Sequence, residues 1–102
     1  MATRDGALRI MVQGDVDLAT SHLLYEAALQ ALVLPNVTEV VFDLSGVPFL
    51  DASGVAALMH AYLELAEQGR HVSVAGAAGM VAAVLHITRA DHDLIPAPAS
   101  RP

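Results

Sequence analysis

The chain has 102 residues, the length of one domain, and it contains no cysteine, which excludes disulfides, thiol catalysis and thiolate metal sites. It has no lysine and a formal charge of −6 at pH 7, so it lacks the clustered cations that nucleic-acid binding requires. Although 55% of the residues are hydrophobic, no apolar run approaches the ~18 residues of a membrane span. We therefore expect a cytoplasmic domain without a signal peptide or membrane insertion, whose more natural partner is a basic protein surface.

Two apolar runs predict the first strands. Leu8–Val12 is rich in β-branched and apolar residues and ends before Gly14, which indicates a strand followed by a turn. Val40–Leu44 reads as apolar on both faces, which is typical of a central strand in a covered parallel sheet. Between these runs, leucines and alanines recur at helical spacing from Ser21 to Leu32, so we predict a helix that connects the two strands.

The second half of the chain repeats this alternation. A helix is predicted over Asp51–Gln68, with Gly69 as its stop, and His71–Ala75 predicts a third strand. Asp93–Pro96 is interpreted as a short edge strand, where proline is tolerated, and residues 98–102 as a disordered tail. A short helix is predicted between the third strand and this edge strand. Its inner face is expected to consist of Met80, Val81, Val84 and Leu85.

This order of elements defines the expected fold class. Strands that alternate with helices over these lengths indicate an α/β architecture with right-handed crossovers. We predict a sheet of four to five mostly parallel strands with helices packed against it. The expected organisation is one domain over residues 1–102, ordered at about 7–97.

The loop and helix start at Asp51–Val55 carry the candidate functional site. Asp51 is a natural N-cap, because its carboxylate can accept hydrogen bonds from the free N–H groups that open a helix. Ser53 then falls in the first turn, at the positive end of the helix dipole, where an added phosphate is stabilised. Gly54 is expected to leave the backbone uncovered, so that another protein can approach closely. These features favour a docking and switching surface over a catalytic pocket.

Each of these residues also has a purely structural explanation. Asp51 could serve only as a helix cap, and Ser53 could simply help to cap the same helix. Asp15 and Asp17, in the turn after the first strand, fit an ordinary solvated turn as well as a contact role. The residue types alone leave these alternatives open.

No pattern in the sequence predicts a metal site or a catalytic group. Asp91–Asp93 has no nucleophile near it in sequence, and Gly76–Gly79 lacks the lysine and the spacing of a phosphate-binding loop. We therefore expect no metal, no cofactor and no enzymatic activity. The histidines lack ligand spacing and are interpreted as solvated or half-buried side chains: His22, His60, His71, His86 and His92.

Three blocks of the sequence resemble the STAS domain, which sulfate transporters share with bacterial anti-sigma factor antagonists. Gly14–Asp17 is similar to the early G-x-L-D turn of that family. Val40–Val55, with Asp51–Gly54, resembles its signature of a strand followed by F-[ML]-D-S-[ST]-G-[LV]. Val84–Thr88 with Leu94–Pro96 is similar to its ending. The blocks follow the order and spacing of the family over about residues 7–97.

The resemblance implies a regulatory module that binds an anti-sigma factor kinase. In the antagonists of this family, the serine kinase phosphorylates the hydroxyl residue that directly follows the motif aspartate, and the unphosphorylated antagonist binds the kinase. The corresponding residue here is Ala52, which has no hydroxyl, so the candidate acceptor is the neighbouring Ser53. The partner-binding residues implied by the resemblance are Asp15, Asp17, Asp51, Ala52, Ser53, Gly54 and Val55.

Two departures from the family pattern broaden the functional prediction. The N-terminal edge strand is expected to be missing or reduced, and the usual C-terminal helix to be lacking. Both would leave apolar surface that a second copy of the chain or a partner could cover, so a homodimer stays open. Small STAS proteins also accompany ABC-type lipid transporters, which makes a transport subunit the alternative function.

Overall fold

The structure, a computed structural model, describes residues 2–4 and 6–95 and has a four-stranded sheet with the strand order β1-β2-β3-β4. β1 pairs with β2 in the antiparallel direction, whereas the β2–β3 and β3–β4 pairs are parallel. This arrangement confirms the predicted mostly parallel α/β sheet, and the N-terminal edge strand is present in a reduced form of three residues. The strands are β1 Ala2–Arg4, β2 Ala7–Gln13, β3 Glu39–Gly46 and β4 His71–Ala75.

β3 is a central strand, between β2 and β4, as its apolar sequence predicts. Val40, Phe42 and Leu44 are at most 1% exposed, and they share one face because side chains alternate along a strand. The opposite face is not wholly apolar, since Asp43 is buried there and its carboxylate lies 2.7 Å from the guanidinium of Arg9. The prediction that this run is apolar on both faces is therefore wrong at Asp43.

Hydrogen bonds explain how the central strand carries a buried carboxylate. Asp43 Oδ1 accepts bonds from the Ser45 hydroxyl at 2.7 Å and the Ser45 backbone N–H at 2.9 Å. These bonds, and then the Arg9 guanidinium, lower the pKa of Asp43 to about 2. The charge is thus compensated within the sheet, so the strand tolerates it.

The helices α1 and α2 cover one face of the sheet. The crossovers β2-α1-β3 and β3-α2-β4 both join neighbouring parallel strands. Crossovers of this kind follow a right-handed rule, which puts α1 and α2 on the same side of the sheet. The two helices pack against each other there. None of the helices in the described residues is long and apolar enough to span a membrane. The helices are α1 His22–Leu29, extended by a 3₁₀ turn at Gln30–Val33, α2 Ala52–Ala66, α3 Gly79–Ile87 and α4 Asp91–Leu94.

Both ends of α2 carry the capping residues that the sequence predicts. Asp51 caps its first turn, and Gly69 adopts a left-handed conformation with φ +73° after its last turn. The Gly69 N–H bonds to the Ala66 carbonyl at 3.0 Å and the Arg70 N–H to the Leu65 carbonyl at 2.9 Å, a Schellman arrangement. The regular helix ends at Ala66, two residues before the predicted end at Gln68, because these last bonds form a turn instead.

The C-terminal part of the described chain differs from its prediction. Residues 91–94 form the one-turn helix α4 rather than an edge strand, with Leu94 fully buried and its N–H bonded to the Ala90 carbonyl at 2.9 Å. An apolar run as short as Leu94–Ile95 cannot distinguish a strand from a helix turn. On α3, Val81 and Leu85 face the core, whereas Met80 is 48% exposed. The predicted tail, residues 98–102, lies outside the described residues.

Candidate functional site

Two loops lie side by side at the carboxyl edge of β2 and β3. The loop Gly14–Asp17 follows β2, and residues 47–51 follow β3. Val16 N–H bonds to the Phe49 carbonyl at 2.9 Å, and Asp51 N–H bonds to the Val16 carbonyl at 3.2 Å, so the loops form a short parallel bridge. The parallel sheet and these bonds hold the two loops as one surface beside the start of α2.

Asp51 is the N-cap of α2, as predicted. Its Oδ1 accepts hydrogen bonds from the backbone N–H of Ser53 at 2.9 Å and of Gly54 at 3.3 Å. The Ser53 hydroxyl donates to the same oxygen and, as the largest contribution, lowers the pKa of Asp51. The carboxylate therefore stays ionised at neutral pH and fixes the direction in which the helix leaves the loop.

Replacing Asp51 tests the strength of this cap. Asp51→Ala is expected to lower the free energy of unfolding by about 1 kcal/mol, because two helix-opening N–H groups lose their acceptor. Asp51→Asn should lower it less, since an amide oxygen also caps helices. Urea denaturation at pH 7 measures both values.

Acidification supplies the control for the cap. The folded state lowers the pKa of Asp51 below its ordinary value of 3.8, so the stabilisation is complete above that pH and is lost as the pH falls below it. The stability difference between wild type and Asp51→Ala should accordingly shrink on acidification. A difference that is independent of pH, or an Asp51→Asn variant as unstable as Asp51→Ala, would contradict the cap.

Ala52 and Ser53 differ in their exposure to solvent. Ala52 is exposed, whereas Ser53 is only partly exposed. The Ser53 hydroxyl donates a hydrogen bond to Asp51 Oδ1. This bond fits the structural explanation of Ser53, in which the residue helps to cap α2. The hydroxyl of the candidate acceptor therefore already has a partner.

The expectation that Gly54 is uncovered is wrong, and Val55, which the resemblance implied as a contact residue, is buried as well. Gly54 is buried, and a Cβ at this position would lie 2.3 Å from Leu50 Cδ1 and 2.9 Å from Val16 Cγ1. Val55 is only 7% exposed and belongs to the core. The glycine thus lets α2 pack closely on the paired loops, and it does not open the backbone to solvent.

Asp15 and Asp17 have different surroundings. Asp17 Oδ1 accepts hydrogen bonds from the N–H groups of Ala19 at 3.1 Å and Thr20 at 3.2 Å, and from the Thr20 hydroxyl at 3.1 Å. In return, the Thr20 hydroxyl accepts the Asp17 N–H at 3.1 Å. This network identifies Asp17 as the residue that fixes the turn before α1. Asp15 is exposed on the same loop.

Sequence analysis missed Leu18, which follows Asp17. Its side chain is 80% exposed, although leucine is normally buried. The sequence did contain a signal for this exposed side chain. Leu18 lies inside a polar turn and outside the helical periodicity of α1.

The histidines and acidic residues do not converge on a metal centre. All five histidines are exposed. Within residues 2–4 and 6–95, no group of three or more histidine, aspartate and glutamate side chains could hold a metal ion. His86 Nδ1 lies 3.0 Å from Asp91 Oδ2, and this bond is the main reason that the pKa of Asp91 is lowered. The pair links α3 to α4.

A mostly parallel four-stranded sheet, with a capped helix beginning beside two bridged loops, is the architecture of a STAS domain. The sequence profile of the family described as "Mlab, STAS domain" matches residues 1–96, so the chain belongs to the STAS domain family. No curated protein sequence matches the chain.

Solved structures of both regulatory and transport proteins are similar to this one. An anti-sigma factor antagonist from Mycobacterium paratuberculosis superposes with a TM-score of 0.77 at 26% identity, over 96% of this chain and 82% of that chain. The Bacillus cell fate determinant SpoIIAA in its phosphorylated form gives a TM-score of 0.65 at 18% identity, over 97% and 89%. A sulfate transporter family protein from Wolinella succinogenes gives 0.76 at 16% identity, over 92% and 75%. The last two likenesses establish a common fold.

Proposed function

We propose that the chain is a non-enzymatic regulatory module that binds an anti-sigma factor kinase. The observation that carries this proposal is the similarity to the Mycobacterium paratuberculosis antagonist, which extends over 96% of the chain. The contact is made by the docking surface, which we define as Asp15, Asp17, Asp51, Ala52 and Ser53. Gly54 and Val55 support this surface from inside the domain rather than touching the partner.

The geometry of the docking surface supports a binding role. Backbone bonds between the two loops and the caps at Asp17 and Asp51 hold the surface in one conformation. A preorganised surface loses little conformational entropy when it binds. Its carboxylates and the formal charge of −6 favour a partner with a basic contact region.

Ala52→Glu tests whether this surface binds the kinase. The substitution replaces a methyl group by a long side chain at an exposed position of the docking surface. We expect steric interference to outweigh attraction to a basic partner and to raise the dissociation constant at least about tenfold, or ~1.4 kcal/mol. The fold should be preserved, because a glutamate in the first turn interacts favourably with the helix dipole. Isothermal titration with a purified anti-sigma factor kinase of the native host measures the effect.

Ala83→Glu is the matched control, because Ala83 is an exposed alanine on α3, away from the docking surface. It should bind the kinase like wild type. A wild-type chain that does not bind the kinase, or an Ala52→Glu variant that binds normally, would reject the proposal.

A second candidate function is a STAS subunit of an ABC-type transport complex. One observation favours it: Ala52 provides no hydroxyl at the usual acceptor position. The STAS fold itself also occurs in a sulfate transporter family protein. Affinity purification from the native host separates the candidates. Recovery of a kinase supports the regulatory role, and recovery of an ATPase with a permease supports the transport role.

A further inference from the structure

Leu18 is an exposed leucine on a rigid turn. Its side chain is 80% exposed, yet the turn that carries it is closed by hydrogen bonds from Ala19 and Thr20 to the Asp17 carboxylate. The backbone adds bonds from the N–H groups of Thr20 and Ser21 to the Asp17 carbonyl at 3.1 and 2.8 Å. The turn therefore fixes the backbone at Leu18 in one conformation.

A second exposed leucine follows five positions later in the chain. Leu23, in the first turn of α1, is 53% exposed, and its N–H bonds to the Thr20 carbonyl at 3.0 Å. Ala19, between the two leucines in sequence, is also exposed. The start of α1 thus carries three exposed apolar side chains within six residues, Leu18, Ala19 and Leu23, and we call this segment the apolar patch.

This apolar patch adjoins the docking surface. Leu18 is two residues from Val16, so their Cα atoms are within about 7 Å. Val16 in turn forms the bridge to Leu50 and accepts the Asp51 N–H. A standard interface buries about 800 Å² on each partner, which is roughly 28 Å across and therefore wide enough to include both regions.

We propose that Leu18, supported by Leu23, is the apolar anchor of the docking surface, and that the kinase receives it in an apolar pocket bordered by basic side chains. The proposal rests on the proposed kinase-binding function and adds a residue that the family motifs do not include. An apolar side chain on a backbone that is already fixed is suited to be an interface anchor, because little backbone freedom remains to be lost on binding. The exposed carboxylate of Asp15, on the same loop, supplies the charge that a basic border would complement.

The experiment compares Leu18→Ala with Val33→Ala. Both wild-type side chains are 80% exposed and apolar, but Val33 lies at the end of the 3₁₀ turn that follows α1. We expect Leu18→Ala to weaken binding to the kinase at least tenfold and Val33→Ala to change it less than twofold. Circular dichroism should give the wild-type thermal midpoint for both variants, because neither side chain is in the core.

A third variant tests the chemistry of the partner. Asp15→Asn should slow association and reduce its dependence on salt concentration, because a charge at the border of an interface acts mainly on the association rate. Surface plasmon resonance at two salt concentrations measures this effect. An unchanged salt dependence would contradict the proposal that basic side chains border the pocket.

The outcomes distinguish this inference from the function on which it rests. A wild-type chain that fails to bind the kinase rejects both the proposed function and the anchor. A wild-type chain that binds, together with a Leu18→Ala variant of equal affinity, rejects the anchor alone. Equal losses in Leu18→Ala and Val33→Ala would likewise reject it, since a specific anchor requires a difference between them.

Discussion

Gly54→Val is expected to destabilise the domain by about 3 kcal/mol, the upper part of the range for overpacked cores. A Cβ at this position would lie 2.3 Å from Leu50 Cδ1 and 2.9 Å from Val16 Cγ1. Leu50 is fully buried and Val16 is 3% exposed, so neither side chain can move into solvent. The two γ-methyl groups of valine add to this crowding, and α2 must shift away from the paired loops. Urea denaturation of both proteins measures the change.

A double-mutant cycle identifies the contact responsible. Leu50→Ala alone should lower the free energy of unfolding by about 2–5 kcal/mol, because it leaves a cavity in the core. In the Leu50→Ala background, Gly54→Val should be less damaging, since the added methyl groups can occupy that cavity. The two substitutions are therefore expected to be non-additive.

The cycle also has a result that would contradict the packing argument. If Gly54→Val unfolds like wild type, or if the two losses simply add, the close approach of α2 to the loops does not limit this position. A stable Gly54→Val variant that fails to bind the kinase would restore the original interpretation, in which Gly54 is a contact residue.

The features predicted correctly are those that depend on local chemistry. β3 has a long β-branched and apolar sequence, and Asp51 precedes a helical pattern with a cap residue that few other types could replace. Gly69 similarly marks the end of α2, because the left-handed conformation there favours glycine. Such signals lie within a few neighbouring residues and do not require knowledge of the tertiary structure.

The errors arise where a distant part of the chain determines the environment. Gly54 looks uncovered in sequence, but Val16 and Leu50 pack against it only because the two loops are bridged. Asp43 is a different case, because its main hydrogen bonds come from Ser45, two residues away, and only the ion pair with Arg9 comes from 34 positions away in sequence. The contacts of Gly54 and of Arg9 have no signature within their own segments. The exposure of Leu18 was missed for the same reason, since burial is a property of the assembled fold.

Wild-type protein is expected to remain unmodified when it is incubated with the kinase and ATP, whereas Ala52→Ser should gain one phosphate. The resemblance to the anti-sigma factor antagonists places the acceptor at position 52, and this position is exposed at the start of α2. A serine there would present its hydroxyl on the docking surface. In the wild type, the Ser53 hydroxyl instead donates a hydrogen bond to Asp51 Oδ1. Intact-mass spectrometry distinguishes the two outcomes directly.

Electrostatics give the reason that Ser53 is a poor acceptor and that position 52 would act as a switch. A phosphate carries about 1.5–2 negative charges at pH 7. On Ser53 it would lie against the Asp51 carboxylate, which already accepts the Ser53 hydroxyl, and the repulsion would offset the favourable helix dipole. At position 52 the phosphate can extend into solvent and still place its charge where the kinase binds. Phosphorylated Ala52→Ser should bind the kinase at least about tenfold more weakly than its unmodified form, because the bulky, strongly hydrated phosphate occupies the contact region and its desolvation outweighs attraction to basic side chains.

Ser53→Ala provides the control, both alone and combined with Ala52→Ser. It should leave the wild type unmodified and should not prevent phosphorylation of Ala52→Ser. Stoichiometric addition of one phosphate to the wild type, lost in Ser53→Ala, would contradict this prediction and identify Ser53 as the acceptor. The expected result instead describes a domain that retains the docking surface of an antagonist but not its switch, so that its binding is controlled by its amount rather than by phosphorylation.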